Sequence, residues 1–293
     1  MSTTSMQKKV LGLAVVLVAF ALAAPPADAS SLRSDLLSLL PQETGEIGFI
    51  DLRELRASPH YRIIRQRLMP RRLVEFERFV RSTGVNVEED TDWLAWALLR
   101  QPGAGELFLG LVQGQFSPQA VEDYFRQREL PLDTYRGQTL FPFGAGRHPQ
   151  ALLFTFLDAS TAAFGTRRSL ELMLETRFGT HPSIIQNQLV LDRLYEANGH
   201  APIWVVLDDH YTQLAVRQLV PEAAKFDQFK PLAQGFRAAL MTVRLARELT
   251  LNFQATCARP ADAQTLSFLL QTGLTALSWQ TQKKNPELSA VLH

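Results

Sequence analysis

One pattern of residues occurs twice in the chain at a constant spacing, and it restricts the fold more than any other feature. Glu106-Leu107-Phe108-Leu109 matches Glu248-Leu249-Thr250-Leu251, and Leu111 matches Phe253. Further on, Pro118, Val121 and Tyr124 match Pro260, Ala263 and Leu266. A strand, a turn, a Pro at a helix start and the apolar face of that helix therefore recur in one register, as in a repeated supersecondary unit. Earlier in each half, Gly45–Asp51 (GEIGFID) and Pro202–Asp208 (PIWVVLD) are apolar runs that end in Asp just before helical periodicity begins. The expected fold is α+β, with two related units, each an antiparallel sheet with helices packed on one face. The first unit spans 30–182 and the second, shorter one 183–293. The first continues through strands near Leu140, Phe154 and Ala163, whereas the second runs on as helix to about Gln282. An open sheet edge is expected in the second unit, available to another protein chain or a second copy.

Residues 1–29 have the order of a secretory signal peptide. Lys8 and Lys9 precede an uncharged run from Val10 to Ala24, and Ala27-Asp28-Ala29 supplies a small-residue cleavage signal before Ser30. The apolar run is short for a membrane span, which needs roughly 20 residues. Cleavage between Ala29 and Ser30 is expected, with a periplasmic or extracellular mature chain; an uncleaved signal would instead tether it to the membrane. Removing this segment takes away two Lys and one Asp from 30 basic and 29 acidic residues, so the mature chain is formally neutral. It has no global field to draw it to nucleic acid. Hydrophobic residues make up 46% of the chain, enough for a large core and too many for a disordered protein. The single Cys257 cannot form an internal disulfide and reads as a buried core residue.

Local signals fill in the units. Asp51 and Glu54 have capping-box spacing. Gln101-Pro102-Gly103-Ala104-Gly105 reads as a hairpin turn between two strands. Ser117-Pro118 reads as an N-cap followed by Pro at the first helical position, and Thr166 as a further N-cap.

The segments GEIGFIDLRELRASPHY, TGVNVEEDTDWLAWAL, YRGQTLF and ALLFTFLDASTAAFGTRRSLELML resemble a pattern found in uncharacterised exported bacterial proteins. In those proteins an LLP helix leads to an acidic-ended strand and then to repeated strand, helix and hairpin units. The resemblance covers most of residues 36–255 and rests on hydrophobic pattern and turn residues. It implies an α+β fold and supplies no catalytic role.

Chemistry-bearing motifs are few. G-x-S-x-G, H-E-x-x-H and the phosphate-binding Walker loop are missing, and one Cys excludes paired-thiol redox or zinc-thiolate sites. Asp208 and His210 fall on one side of an extended chain and could supply two ligands to a divalent cation. Capping explains Asp208 better, because Asp51 stands at the same strand-to-helix junction in the first unit. Gly144-Ala145-Gly146 lacks the third glycine of a dinucleotide loop and reads as a hairpin with His148 exposed. Residues 53–81 hold nine Arg, among them Arg62, Arg65 and Arg72, which could bind phosphate or carboxylate groups. Interleaved Ile63, Ile64, Leu68, Leu73, Phe76 and Phe79 are also what an amphipathic helix on a core requires. No cofactor is implied. A non-catalytic binding or scaffold module of the cell envelope is the first expectation. The alternative is a hydrolase-like enzyme whose site would unite Asp51, Asp208 and His210.

Overall fold

The computed structural model describes residues 31–58, 87–101, 105–143, 152–219, 229–245 and 249–268, with Tyr61, Arg81 and Gln271. Its elements in chain order begin with α1 (Ser34–Leu37), β1 (Thr44–Asp51), α2 (Leu52–Ala57), α3 (Val87–Asp90), β2 (Thr91–Gln101) and β3 (Gly105–Gly114). Next come α4 (Pro118–Gln127), β4 (Asp133–Tyr135), β5 (Gln138–Pro142), β6 (Leu152–Phe156), β7 (Thr161–Thr166) and α5 (Arg167–Arg177). After α6 (Gln188–Ala197) follow β8 (Ile203–Asp208), α7 (Asp209–Leu219), α8 (Phe229–Gln234), β9 (Phe236–Leu245) and β10 (Leu249–Cys257). Residues 260–268 are helical. Among the described residues no helix is long and apolar enough to cross a membrane. The expected signal segment and its Ala29–Ser30 junction lie outside the described residues, as do Gly144–Gly146 and His148.

The protein is α+β, and its strands form one antiparallel sheet rather than one sheet per unit. The order is β10-β9-β8-β1-β2-β3-β7-β6-β5-β4. β1 and β8, the two acidic-ended runs, lie side by side at the joint between the halves, with Glu46 opposite Leu207 and Phe49 opposite Trp204. Outward from this joint each half adds a hairpin, β2–β3 on one side and β9–β10 on the other. Among the described strands the first half continues further, through β7, β6, β5 and β4. The unit boundary expected at 182/183 is therefore crossed by a continuous sheet and by a common core.

Helices cover both faces rather than one, because alternate side chains of the central strands are apolar on both sides. All eight residues of β1 and all six of β8 are buried. On one face Phe49, Ala95, Trp204 and Val206 pack with Leu36 of α1, Met173 of α5 and Leu194 of α6. On the other, Leu98, Val205 and Leu207 meet Tyr211 and Ala215 of α7. Phe141 and Phe154 meet Val121 and Phe125 of α4 on that second face as well. A row of pairs running across five strands explains part of the register. Gly48, Trp96, Gly110, Phe164 and Phe154 are successive cross-strand partners. Each glycine lies beneath a neighbour's ring: an added Cβ would come 2.0 Å from Trp96 at Gly48 and 2.2 Å from Phe164 at Gly110. From Gly48 to Phe164 each ring has a glycine beside it to cover, and a slip of one residue would turn these side chains to the opposite face and undo the fit.

The helix starts follow the expected chemistry with two departures. Asp51 Oδ1 accepts from the backbone N–H groups of Arg53 and Glu54 at 2.9 and 3.0 Å. The reciprocal half of the capping box is not made, because the Asp51 backbone N–H donates to the Pro202 carbonyl at 2.7 Å instead. Thr166 caps α5 by accepting from Ser169. Ser117 occupies the N-cap position of α4, with a φ of −118° and a ψ of 83°, but makes no side-chain cap.

Candidate functional site

The most unusual chemistry in the chain lies where β1 passes β8. Glu46 is a carboxylic acid in the middle of an eight-residue buried strand, with 0% of its surface exposed. β2 brings Trp96 beside it, and the indole Nε1–H donates to Glu46 Oε1 at 2.9 Å. The glycine at position 48 permits this, since the Trp96 ring occupies the space a side chain there would fill. Glu46 Oε2 is buried without a hydrogen-bond partner. Leaving a buried carboxylate half-satisfied is expensive, and the group avoids the penalty by holding its proton. Burial raises its pKa from 4.5 to about 7; the Trp96 hydrogen bond works the other way, and the nearby charges of Glu106 and Asp208 add to the rise.

Three further elements close around this acid. Asp208, at the end of β8, is 7% exposed and accepts from the Tyr211 backbone N–H at 2.9 Å, so it caps α7. Its second oxygen lies 2.7 Å from Arg100 of β2, whose side chain is half-exposed and also reaches Asp209 at 4.0 Å. Burial nonetheless pushes the Asp208 carboxyl up, against the Tyr211 hydrogen bond and the Arg100 charge. Tyr211 is 1% exposed and its hydroxyl is buried without a hydrogen-bond partner. Burial, and after it the carboxylate of Glu106, raise its pKa further. Gly45 makes room for this packing, because a Cβ there would sit 2.6 Å from both Asp208 Oδ2 and the Tyr211 ring. The result is a buried set of Glu46, Asp208 and Tyr211, with the partly exposed Glu106 and Arg100 at its rim.

The residues singled out from the sequence do not converge. Asp51 is level with Pro202, to which its backbone bonds, and Asp208 lies six residues further along β8. At about 3.3 Å per residue the two caps stand roughly 20 Å apart, at opposite ends of one strand pair. His210 is exposed on the first turn of α7, its ring edge-on to Tyr211. No set of three or more His, Cys, Asp or Glu is arranged to hold a metal ion among the described residues. A hydrolase-like site built from Asp51, Asp208 and His210 therefore has no common pocket, and catalysis needs its groups in mutual reach. Arg62, Arg65 and Arg72 lie outside the described residues. Cys257 is half-buried rather than fully buried, and burial, with Asp262 nearby, holds its thiol protonated.

Glu46 was not a candidate in the sequence. Its signal is an acid early in a strand whose centre is apolar; what hides it is that the covered face cannot be read from β1 alone. On the opposite face, an open groove of about 460 Å³ runs between Ser38 and the α5–α6 connection. His181 Nε2 lies 2.8 Å from Glu43 Oε2 at its border.

No family model matches the chain, and no curated protein matches it. Among solved structures, a chain described as crystal form I of TP0453 is similar over 85% of this chain and 88% of its own length, at 11% sequence identity and a TM-score of 0.48.

Proposed function

We propose that this is an exported, non-catalytic binding or scaffold protein of the cell envelope that associates through the outer edge of β10. The observation that carries the reading is the contrast between spent acids and an unspent edge. Asp51 and Asp208 are used as helix caps, whereas no described strand pairs with the outer side of β10. That strand runs for nine residues, LTLNFQATC, with no charge and no Pro. Proteins that stay monomeric usually protect such edges with Lys, Pro or short strands. The proposed occupant is a second copy, β10 antiparallel to β10. In that isologous arrangement the exposed Asn252 and Gln254 share one face, and the half-buried Phe253 and Ala255 share the other. The tripartite N-terminus and the resemblance to uncharacterised exported bacterial proteins support the export part of the reading.

Two measurements test it. N-terminal sequencing of the chain recovered from the envelope is expected to begin at Ser30; retention of residues 1–29 removes the secreted form. Light scattering after size-exclusion chromatography is expected to show a dimer that the N252K/Q254K variant dissociates by placing four charges at the two-fold seam. A wild-type monomer at high concentration overturns edge pairing.

A further inference from the structure

We propose that Glu46 is a proton-operated latch on the β1–β8 seam, neutral and closed in mildly acidic surroundings and loosened when it ionises. The seam is where the described strands of the first half, β1 to β7, join those of the second, β8 to β10. Glu46 sits on it with Leu207 opposite. The titratable and charged groups around it are Arg100 from β2, Glu106 from β3, Asp208 from β8, and Asp209, His210 and Tyr211 from α7. Three of the neighbours are carboxylates. The one Arg among them is already 2.7 Å from Asp208. Among the described residues, a negative charge on Glu46 therefore has the Trp96 N–H as its single hydrogen-bond donor, and its second oxygen has none. The neutral acid removes the repulsion and the desolvation penalty together.

Ionisation would be relieved by letting water reach Oε2, and the shortest way is to part β1 from β8 at the Leu207–Asp208 end. At that end Gly45 has no side chain to hold the strands together, and Asp208 and the Tyr211 ring fill the space a Cβ there would take. Parting there would free β8 and, with it, the hairpin that ends in β10. The latch thus couples proton concentration to the exposure of the second half of the sheet.

Hydrogen exchange on the full chain, compared with E46Q, tests this. Gln keeps the shape of the neutral acid and cannot ionise. Between about pH 5.5 and about pH 8, amides of 203–208 in the wild type are expected to lose roughly 25-fold more protection than the same amides in E46Q, as linkage to one proton predicts. Equal pH dependence in the two proteins overturns the latch. A direct titration guards against failure of the variant to fold: in ¹³C-labelled wild type the Glu46 carboxyl is expected to titrate near neutrality. A Glu46 carboxyl that titrates in the ordinary acidic range overturns it regardless of any variant.

Discussion

At the scale of single residues, Glu46 and Trp96 form a pair whose energetics run in opposite directions. The indole N–H stabilises the carboxylate form, so its loss in W96F should raise the Glu46 pKa above the present value of about 7. Carboxyl chemical shifts followed against pH would show the titration midpoint moving upward; a downward move would mean that the hydrogen bond is not the controlling contact. Gly48→Ala should have a different result. Its Cβ would fall 2.0 Å from a Trp96 ring atom, and the ring can escape only by leaving Glu46. A loss of about 1–3 kcal/mol, typical of overpacking, is expected in urea unfolding. Neither contact was legible in the sequence. Glu46, Gly48 and Trp96 meet because β1 and β2 pair in one register, and sequence pattern supplies the two strands without their alignment.

At the scale of elements, helix starts were the most readable part of the chain. Asp51, Thr166 and Asp208 all accept the backbone donors that their positions imply. Their chemistry is local, which is why a short window of sequence contains it. Ser117 shows the limit: Pro118 stands at the start of the first turn, yet the Ser117 hydroxyl makes no cap. The two Asp caps can be separated by experiment. D51A should cost about 1 kcal/mol, the usual value for removing an N-cap. For Asp208, Asn retains the cap to Tyr211 but loses the ion pair with Arg100. D208N should therefore be closer to wild type than D208A in thermal unfolding. If both variants melt alike, the contact to Arg100 outweighs the cap.

At the scale of the whole molecule, the repeated pattern in the sequence corresponds to two hairpins placed on either side of the β1–β8 joint. Pro118 and residue 260 each begin a helix directly after the second strand of a hairpin. That one sheet unites them was not legible, because pairing between β1 and β8 links residues more than 150 positions apart and leaves no periodic trace. The same joint makes Glu46 matter beyond its surroundings. Its folded-state pKa of about 7 lies above the ordinary value of 4.5. The unfolded chain therefore releases this proton first as pH rises. Stability should be greatest below about pH 4.5, decline through the interval up to about pH 7 and level off above it, with a total change of about 3 kcal/mol from this one group. Other carboxylates contribute their own slopes, so the decisive quantity is the difference from a protein in which only Glu46 cannot ionise. Urea-unfolding free energies of wild type and E46Q, measured across that interval, provide it. E46Q is expected to become progressively more stable than wild type as pH rises, by about 3 kcal/mol at neutral pH and above; two curves that stay parallel would mean that Glu46 holds no proton on the seam.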